Sequence, residues 1–195
     1  MPNPKTFYLK GALRDGCLTT QWNVKFVQKS REWLSEVVLP LLNKSFNQSF
    51  KENCIYFDSR KWPYWYITIS NKKLWHELSQ LQKLKPFSLE EQKFYIMAFW
   101  DTDGGCPKQP SKNKKIYLKF TQKDKKSLVE LKRMIEKTFG IKCGRVRISE
   151  LKKNGPVWRF TITNKKGIVN FCNRIGSLHP EKKLRLERIK GLLAG

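Results

Sequence analysis

The chain has 195 residues, which is enough for one large domain or for two small fused domains. Its 40 Lys and Arg residues against 16 Asp and Glu residues give a formal net charge of +24, and 13% of the residues are aromatic. The aromatic content excludes a disordered tail, since disordered chains contain few aromatic residues. A compact body with this much positive charge repels itself, and the usual reason for tolerating such charge is a polyanionic partner, DNA or RNA.

Cysteine usage and hydropathy indicate the compartment. Five cysteines are present, an odd number, and no two of them have the Cys-x-x-Cys spacing. With only two histidines, His76 and His179, a zinc site is not expected. Free thiols in a reducing compartment are the simpler interpretation. No signal peptide or membrane span is visible, so we expect an intracellular protein of the cytoplasm or nucleoid, or of an organelle, without a membrane partner.

The first half of the chain predicts three helices and three strands. A helix is expected over residues 7–15, which are largely apolar and end at "RDG". Residues 22–28 alternate between apolar and polar side chains, which is typical of a half-buried strand. Ser30 is expected to cap the next helix, and Asn71 a helix through about residue 83. Between these two helices, "CIYFDSR" and "YWYITIS" predict two more strands.

The second half begins where Pro86 interrupts the chain. Ser88 and Glu91 form a capping-box pattern before the apolar helix "YIMAFW". This helix ends at "DTDGG", and a loop rich in Gly, Pro and Lys follows it. The remaining segments predict, in order, strand "IYLKFTQ", a helix over 125–139, strands "GRVRIS" and "VWRFTIT", a helix from about Lys165 to Ile175, and a basic helix from about Glu181.

The same order of elements occurs twice, and three short segments recur in that order. The pairs are "LRDGC" (13–17) with "DTDGGC" (101–106), "FVQKS" (26–30) with "FTQKD" (120–124), and "YITISNKK" (66–73) with "FTITNKK" (160–166). Such self-similarity indicates a duplicated unit. We therefore predict an α+β protein of two similar units related by a pseudo-twofold axis. The units would cover residues 1–85 and 86–195 and join at about residues 83–89.

Alternation along the predicted strands separates an inner face from an outer face. The outer face of the first half carries Asn23, Lys25, Tyr56, Asp58, Arg60, Tyr64, Tyr66 and Thr68. The outer face of the second half carries Tyr117, Lys119, Thr121, Arg145, Arg147, Arg159 and Thr161. An ordinary solvated face is one explanation, because antiparallel sheets often expose one side. The abundance of Lys, Arg and Tyr favours a DNA-contacting surface, in which two antiparallel sheets form a basic saddle.

Two acid-glycine pairs are candidates for chemistry. Asp15 and Asp103 are each expected at the C-terminal end of a helix, where a carboxylate faces the negative end of the helix dipole. A divalent cation with oxygen ligands reverses that unfavourable balance. Gly16 and Gly104 are expected to turn the chain in a left-handed conformation. A simple Asp-Gly turn is the alternative, but two such sites in a basic, duplicated chain favour metal-dependent phosphodiester chemistry.

The segment "IMAFWDTDG" (96–104) resembles the LAGLIDADG motif of homing endonucleases position by position, and "YLKGALRDG" (8–16) resembles a second copy of that motif. With the duplication and the charge, the resemblance covers essentially the whole chain. It is a resemblance to the monomeric two-motif enzymes of the archaeal, intron-encoded type. It implies that each unit has the element order αββαββα. It also implies that the two motif helices pack against each other at the centre of the molecule, on the pseudo-twofold axis.

The resemblance also implies a metal site and a catalytic set. The implied ligands of Mg²⁺, or of another divalent metal such as Mn²⁺, are the carboxylates of Asp15 and Asp103 and the main-chain carbonyls of Arg14 and Thr102. The other implied catalytic residues are two pairs at strand ends, Gln28 with Lys29 and Gln122 with Lys123. The glutamines would hold or polarise water, and the lysines would offset charge at the phosphate. A merely solvated strand end is the alternative for each pair.

The chain departs from the family pattern in its first motif. Lys10 occupies the position where a small residue normally allows close helix contact, so Gly11 and Ala12 are expected to serve instead. Leu13 replaces the first acid of the motif's pair. Asp101, its counterpart in the second motif, is therefore expected to support the helix end rather than to be the main metal ligand.

The lysine-rich loop after the second motif adds DNA-binding candidates, namely Lys108, Lys114 and Lys115. Lys108 is also the nearest candidate for the active-site lysine that some family members have after the second motif. A loop charge that contacts phosphate alone is the alternative for Lys108.

The leading hypothesis is a monomeric homing endonuclease that cuts both strands of a long, pseudo-palindromic double-stranded DNA site and leaves 3′ overhangs. One alternative is a maturase of the same fold that binds its intron RNA. The other is a DNA-binding module that has lost catalysis, against which the presence of both acids argues. A basic face does not reveal its target sequence, so the site itself stays open.

Overall fold

The computed structural model describes residues 3–60, 63–113, 115–153 and 155–194, with Asp15 and Ala194 described by their backbone alone. The helices are α1 (Thr6–Ala12), α2 (Arg31–Trp33), α3 (Leu39–Phe46), α4 (Lys72–Lys83), α5 (Leu89–Asp103), α6 (Lys125–Phe139), α7 (Lys165–Arg174) and α8 (Pro180–Ala194). The strands are β1 (Cys17–Leu18), β2 (Asn23–Gln28), β3 (Ile55–Asp58), β4 (Tyr64–Ser70), β5 (Gly104–Gly105), β6 (Leu118–Gln122), β7 (Arg147–Lys152) and β8 (Gly155–Ile162).

The strands form two antiparallel four-stranded sheets with the same topology. Their orders are β1-β2-β4-β3 and β5-β6-β8-β7. The order helix, two strands, helix, two strands, helix occurs from α1 to α4 and again from α5 to α7, so the predicted α+β fold of duplicated αββαββα units is confirmed. Residues 84–88 connect the two repeats, and the assignment of the joint to residues 83–89 stays a prediction. None of the described helices has the length and apolar character needed to cross a membrane.

By their contacts, the residues form two compact units. Unit 1 comprises Met1–Thr102 with Leu178–Pro180, and unit 2 comprises Asp103–Ser177 with Glu181–Gly195. The core of unit 1 lies between the inner face of the first sheet and its helices, and includes Val24, Phe26, Trp33, Leu42, Ile67, Leu74 and Leu78. The core of unit 2 is built in the same way from Leu118, Phe120, Leu128, Ile135, Phe160, Ile162 and Phe171. Each sheet therefore has one buried face, as the alternation predicted.

Several helix ends follow directly from local sequence. The Ser30 and Asn71 side chains accept hydrogen bonds from backbone N–H groups three residues ahead, as N-caps do. Ser88 and Glu91 form the predicted reciprocal capping box. Donation from the backbone N–H groups of Phe87 and Ser88 lowers the pKa of the Glu91 carboxyl. The predicted helix after Ser30 is interrupted by a π-turn over Leu34–Val38, just before a proline that has no N–H to continue the helical hydrogen bonds.

The motif helices α1 and α5 touch backbone to backbone within unit 1. A Cβ atom added to Gly11 would lie 2.7 Å from the Ala98 Cβ and 2.9 Å from the Tyr95 carbonyl oxygen. Gly11 thus supplies the small residue expected at this contact. Lys10 points elsewhere, because its Nζ donates to the carbonyls of residues 81, 82 and 84 at the end of α4. Lys10 is therefore a cap for the carbonyl end of α4, where a cation is favourable, although partial burial lowers the pKa of its ammonium group.

A buried carboxylate joins four segments of unit 1. Asp101, which is fully buried, accepts hydrogen bonds at Oδ2 from the Tyr8 hydroxyl (2.6 Å) and from the backbone N–H groups of Leu178 and His179 (2.9 and 3.1 Å). The Tyr8 oxygen accepts in turn from Trp33 Nε1 at 2.7 Å. Burial, followed by the nearby Asp101 charge, raises the pKa of Tyr8, so this hydroxyl stays protonated and donates. Asp101 therefore makes hydrogen bonds that hold its helix end in place.

Replacement of Gly11 tests the helix contact. We expect Gly11→Val to lower the free energy of unfolding by about 1–3 kcal/mol or more, because the added side chain meets backbone atoms that cannot move aside. Gly191→Ala is the matched control, since no atom lies within 4 Å of the added Cβ in helix α8. It should be neutral or stabilise by up to about 1 kcal/mol through helix propensity. Urea denaturation measures both, and equal stability of Gly11→Val and the wild type would contradict the contact.

Replacement of Asp101 tests the buried network. Asp101→Ala leaves one hydroxyl and two N–H donors without their acceptor and should cost about 3 kcal/mol or more. Asp101→Asn retains a carbonyl oxygen where all three donors converge, so its loss should be clearly smaller. Glu90→Gln, an exposed acid of the same helix, serves as the control and should change stability by less than about 0.5 kcal/mol. Equal losses for the Ala and Asn variants would exclude hydrogen bonding as the role of Asp101.

Candidate functional site

Asp103 is the last residue of α5 and is half-buried. Gln122, at the end of β6, donates from Nε2 to Asp103 Oδ2 at 2.8 Å. The hydroxyl of Thr121 donates to the Asp103 carbonyl oxygen at 2.6 Å. The strand end thus fixes both the side chain and the main chain of this residue, so the carboxylate is held at the edge of the sheet.

The two glutamine-lysine pairs have the same local geometry. Gln122 Oε1 accepts from the backbone N–H of Lys123 at 2.7 Å, and Gln28 Oε1 accepts from the backbone N–H of Lys29 at 2.8 Å. Each glutamine is half-buried, and each lysine side chain is exposed. This bond leaves the glutamine amide nitrogen directed away from its own lysine, and in unit 2 that nitrogen reaches Asp103. The repeated "QK" pair therefore forms the same side-chain-to-backbone hydrogen bond in both units.

Asp15 ends the 3₁₀ turn that follows α1 (Leu13–Asp15). The neighbouring Arg14 guanidinium lies 4.4 Å from the Phe99 ring centroid and donates to the Tyr95 hydroxyl. Gly16 does not have the left-handed conformation expected for it, since its φ is −120°. Glycine is needed there for a different reason, because a Cβ would overlap the main-chain oxygen of Lys25 on strand β2. Gly104 likewise does not make the expected left-handed turn, because it begins strand β5 and pairs with β6.

The exposed face of the first sheet is organised around tyrosines. Lys25 Nζ lies 4.2 Å from the ring centroid of Tyr66, and the Tyr66 ring stacks on Tyr56. The Asp58 carboxylate accepts from the Arg60 guanidinium and from the Tyr64 hydroxyl. These donors hold the pKa of Asp58 far below its usual range. Asn23 and Thr68 share this face in the strand register.

The exposed face of the second sheet is organised around cations. Arg147 and Arg159 are directly opposite each other across β7 and β8, and Thr121 and Lys119 continue the same face on β6. In the described part of the chain, no Asp or Glu forms an ion pair with Lys119, Arg147 or Arg159. An open groove of about 420 Å³ runs along this face, lined by Lys115, Ile116, Tyr117, Lys119, Arg147, Arg159, Thr161 and Thr163.

The remaining candidates lie off the strands. Arg145 and Tyr117 precede β7 and β6 instead of lying within them. Lys108 is exposed beside a second groove of about 550 Å³ that also includes Lys112 and Arg188. No hydrogen bond of the described structure links Lys108 to Asp103. The predicted residue Lys114 lies outside the described residues.

The donor set fits a hard divalent cation. A carboxylate at a helix end, together with the last main-chain carbonyls of that helix, offers only oxygen ligands. In α5 this set is Asp103 and the carbonyl of Thr102. The Thr102 hydroxyl donates to the Ala98 and Phe99 carbonyls, so it points away from the set and is not one of its ligands. No cluster of three His, Cys, Asp or Glu side chains occurs among the described residues, so an all-protein metal cage is absent there. Such a site needs further oxygen ligands from water or a phosphate.

Sequence reasoning missed three contacts of this site. The Thr121 hydroxyl was expected to face DNA, but it also secures Asp103. Lys182 of α8 donates to the Gly104 carbonyl at 2.8 Å, far away in sequence. Tyr8 is an aromatic residue of the first motif, and only the fold brings it to Asp101.

Comparisons with known proteins show which domain and which solved structures this chain resembles. A model described as the LAGLIDADG-like domain matches residues 90–176. The structure of I-DmoI in complex with DNA and Ca has a TM-score of 0.70 and 18% identity, and the match covers 95% of this chain and 97% of that chain. The complex of I-DmoI with DNA and Mn gives 0.66 and 19%, over 88% of this chain and 96% of that chain.

The fold is not confined to I-DmoI. Full-length DUF199/WhiA from Thermatoga maritima matches with a TM-score of 0.68 and 17% identity, over 98% of this chain and 60% of that chain. No curated protein matches the amino-acid sequence significantly. The chain therefore has the duplicated LAGLIDADG fold, and within it residues 90–176 match the model of the LAGLIDADG-like domain.

Proposed function

We propose that the protein is a monomeric homing endonuclease that hydrolyses one phosphodiester bond in each strand of a long double-stranded DNA site, leaving 3′ overhangs. The observation that carries the proposal is the hydrogen bond from Gln122 to the helix-end carboxylate of Asp103. It unites two separate sequence recurrences, the acid-glycine pair and the "QK" pair, in one site. A helix end with a purely structural role would not need both the acid-glycine pair and the "QK" pair.

Each residue type has a defined task in this reaction. Asp103 and Asp15, with the carbonyls of Thr102 and Arg14, would hold Mg²⁺ or Mn²⁺, which supplies charge stabilisation at the phosphate and an activated water. Gln122 and Gln28 would orient that water and the carboxylate. The exposed ammonium groups of the lysines that follow them, Lys123 and Lys29, would approach the phosphate and offset its negative charge.

The DNA would lie across the exposed sheet faces. Arginines match the acceptor pair of guanine in the major groove, and lysines contact phosphates. The groove beside Arg147 and Arg159 offers such side chains without an internal ion pair. On the first sheet, Tyr56, Tyr66 and Lys25 would make more apolar contacts. The Asp58 carboxylate, already occupied by Arg60 and Tyr64, would orient those two residues toward the duplex.

The comparisons support the proposal through fold and ligand together. The I-DmoI structures include complexes with target DNA and with Mg, Mn or Ca. WhiA has the same fold, so the fold alone does not make a nuclease. Retention of both motif acids favours cleavage over a silent DNA-binding protein. The basic face would also accept intron RNA, so a maturase is the second candidate, and retention of the acids favours the nuclease over it as well.

Loss of either motif acid tests the chemistry. A randomised duplex library cleaved by the wild type in Mg²⁺ first yields a substrate. Asp103→Asn and Asp15→Asn should each reduce cleavage of this substrate by at least about 100-fold, because a neutral amide holds the cation poorly. Binding measured in Ca²⁺ should persist. Glu130→Gln, an exposed acid of α6, is the control and should cut at the wild-type rate. Specific binding without any cut by the wild type in Mg²⁺ or Mn²⁺ would exclude the nuclease.

The arginine pair of the second sheet tests the interface. Arg147→Ala and Arg159→Ala should each weaken specific binding by about 1–3 kcal/mol where the side chain contacts a base edge. A phosphate contact would instead reduce the salt slope of binding by about 1. Stability should not fall, since directly opposed like charges in a sheet destabilise it. Lys152→Ala, on the same strand but paired with Glu150, is the control. Unchanged affinity and an unchanged salt slope in both arginine variants would show that the DNA does not bind at this sheet face.

A further inference from the structure

The last helix, α8, is outside the duplication. The repeat ends with α7, and the element that follows α4 in the first copy is the second motif helix itself. The first turns of α8 nevertheless contact the segment directly after Asp103. Lys182 Nζ donates to the Gly104 carbonyl at 2.8 Å. Arg185, one turn later, ion-pairs with Glu181. Burial raises the pKa of the nearby Cys106 thiol, and the positive charge of Arg185 partly counteracts that rise.

The Lys182 contact adds a third described donor to the two that contact Asp103. Gln122 fixes the Asp103 carboxylate, the Thr121 hydroxyl fixes the Asp103 carbonyl, and Lys182 fixes the next carbonyl along the chain. The first two donors come from β6, whereas Lys182 comes from a different element. Lys182 is the only one of the three that carries a positive charge. An ammonium group at this position lies at the negative end of the α5 dipole, where a cation is stabilising.

We propose that Lys182 is a positioning residue for the second motif's half of the reaction alone, an inference that rests on the proposed nuclease function. Its ammonium group fixes the Asp103–Gly104 peptide and offsets negative charge beside the Asp103 carboxylate and the phosphate. It forms no covalent bond and transfers no proton. Because α8 has no counterpart in the first copy, no described residue of that copy corresponds to Lys182. The two strands are therefore cut by chemically different half-sites.

The first copy offers its own lysine for a different purpose. Lys10 lies within the first motif, but its Nζ contacts the carbonyl end of α4. Gly16, the counterpart of Gly104, is held against Lys25 of strand β2 by the close backbone approach. Gly104 likewise pairs with strand β6, but in addition its carbonyl accepts a hydrogen bond from the Lys182 ammonium group. The proposed difference between the half-sites can therefore be measured as a difference between the cleavage rates of the two strands.

A strand-resolved cleavage assay tests the proposal. The substrate is the duplex selected by wild-type cleavage, with each strand labelled separately, in Mg²⁺. Lys182→Met should slow the cutting of one and the same strand by about 10- to 100-fold, the usual effect of removing a supporting group from a metal site. The other strand should be cut at the wild-type rate, so nicked duplex accumulates. Lys182→Arg should restore most of the rate, and Lys182→Gln, which keeps an N–H donor without charge, should restore little.

Controls separate this role from folding and from general DNA binding. Lys183→Met removes an exposed charge from the next position of α8 and should cut both strands as the wild type does. Equal slowing of both strands by Lys182→Met, or no slowing, would overturn the inference while leaving the nuclease intact. Full rescue by Lys182→Gln would also overturn it, since charge would then be irrelevant. A wild type that binds the duplex but cuts neither strand would instead overturn the proposed function, and this inference with it.

Discussion

The close contact between α1 and α5 is the constraint on which the site depends. A glycine at position 11 lets the α1 backbone approach the Ala98 side chain and the Tyr95 carbonyl more closely than any larger residue would. The side chains that precede Gly11 on α1 point in different directions. Lys10 turns to the end of α4, and Tyr8 turns inward to Asp101. This one short helix therefore supplies a close backbone contact, a cap for α4 and a member of the buried hydrogen-bond network.

The two aspartates of "DTDGG" have opposite environments although only one residue separates them. Asp101 is fully buried and accepts three hydrogen bonds at one oxygen, so its charge is used inside the protein. Asp103 is half-buried at a sheet edge and is held by a neutral amide. A buried carboxylate saturated by donors is a poor metal ligand, whereas a carboxylate oriented by an amide keeps its charge available. Leu13, opposite Asp101 in the repeat, is consistent with a structural task that the first motif performs by packing.

Local chemistry explains which features the sequence could predict. The caps at Ser30 and Asn71 and the capping box each depend on a few neighbouring residues, and all of them are found. Recurrence predicted the duplicated α+β unit, and the family resemblance implied its αββαββα order. The contacts of Lys10, Tyr8 and Lys182 join residues at least 70 positions apart, so no local pattern signals them. Gly16 was misjudged because a sequence does not distinguish a glycine needed for positive φ from one needed for close approach.

Duplication has left the two sheets with the same topology but different charge chemistry. On the first sheet, the cations of the exposed face are occupied internally, Lys25 by a tyrosine ring and Arg60 by Asp58. On the second sheet, two arginines face each other and form no ion pair with a described acid. Opposed like charges cost stability in the free protein, and a bound polyanion removes that cost. The second unit should therefore gain more from a nucleic acid than the first, and the ionic-strength dependence of binding should arise mainly there. On the proposed DNA-binding surface, one unit would then provide chiefly electrostatic attraction and the other chiefly aromatic contact and shape.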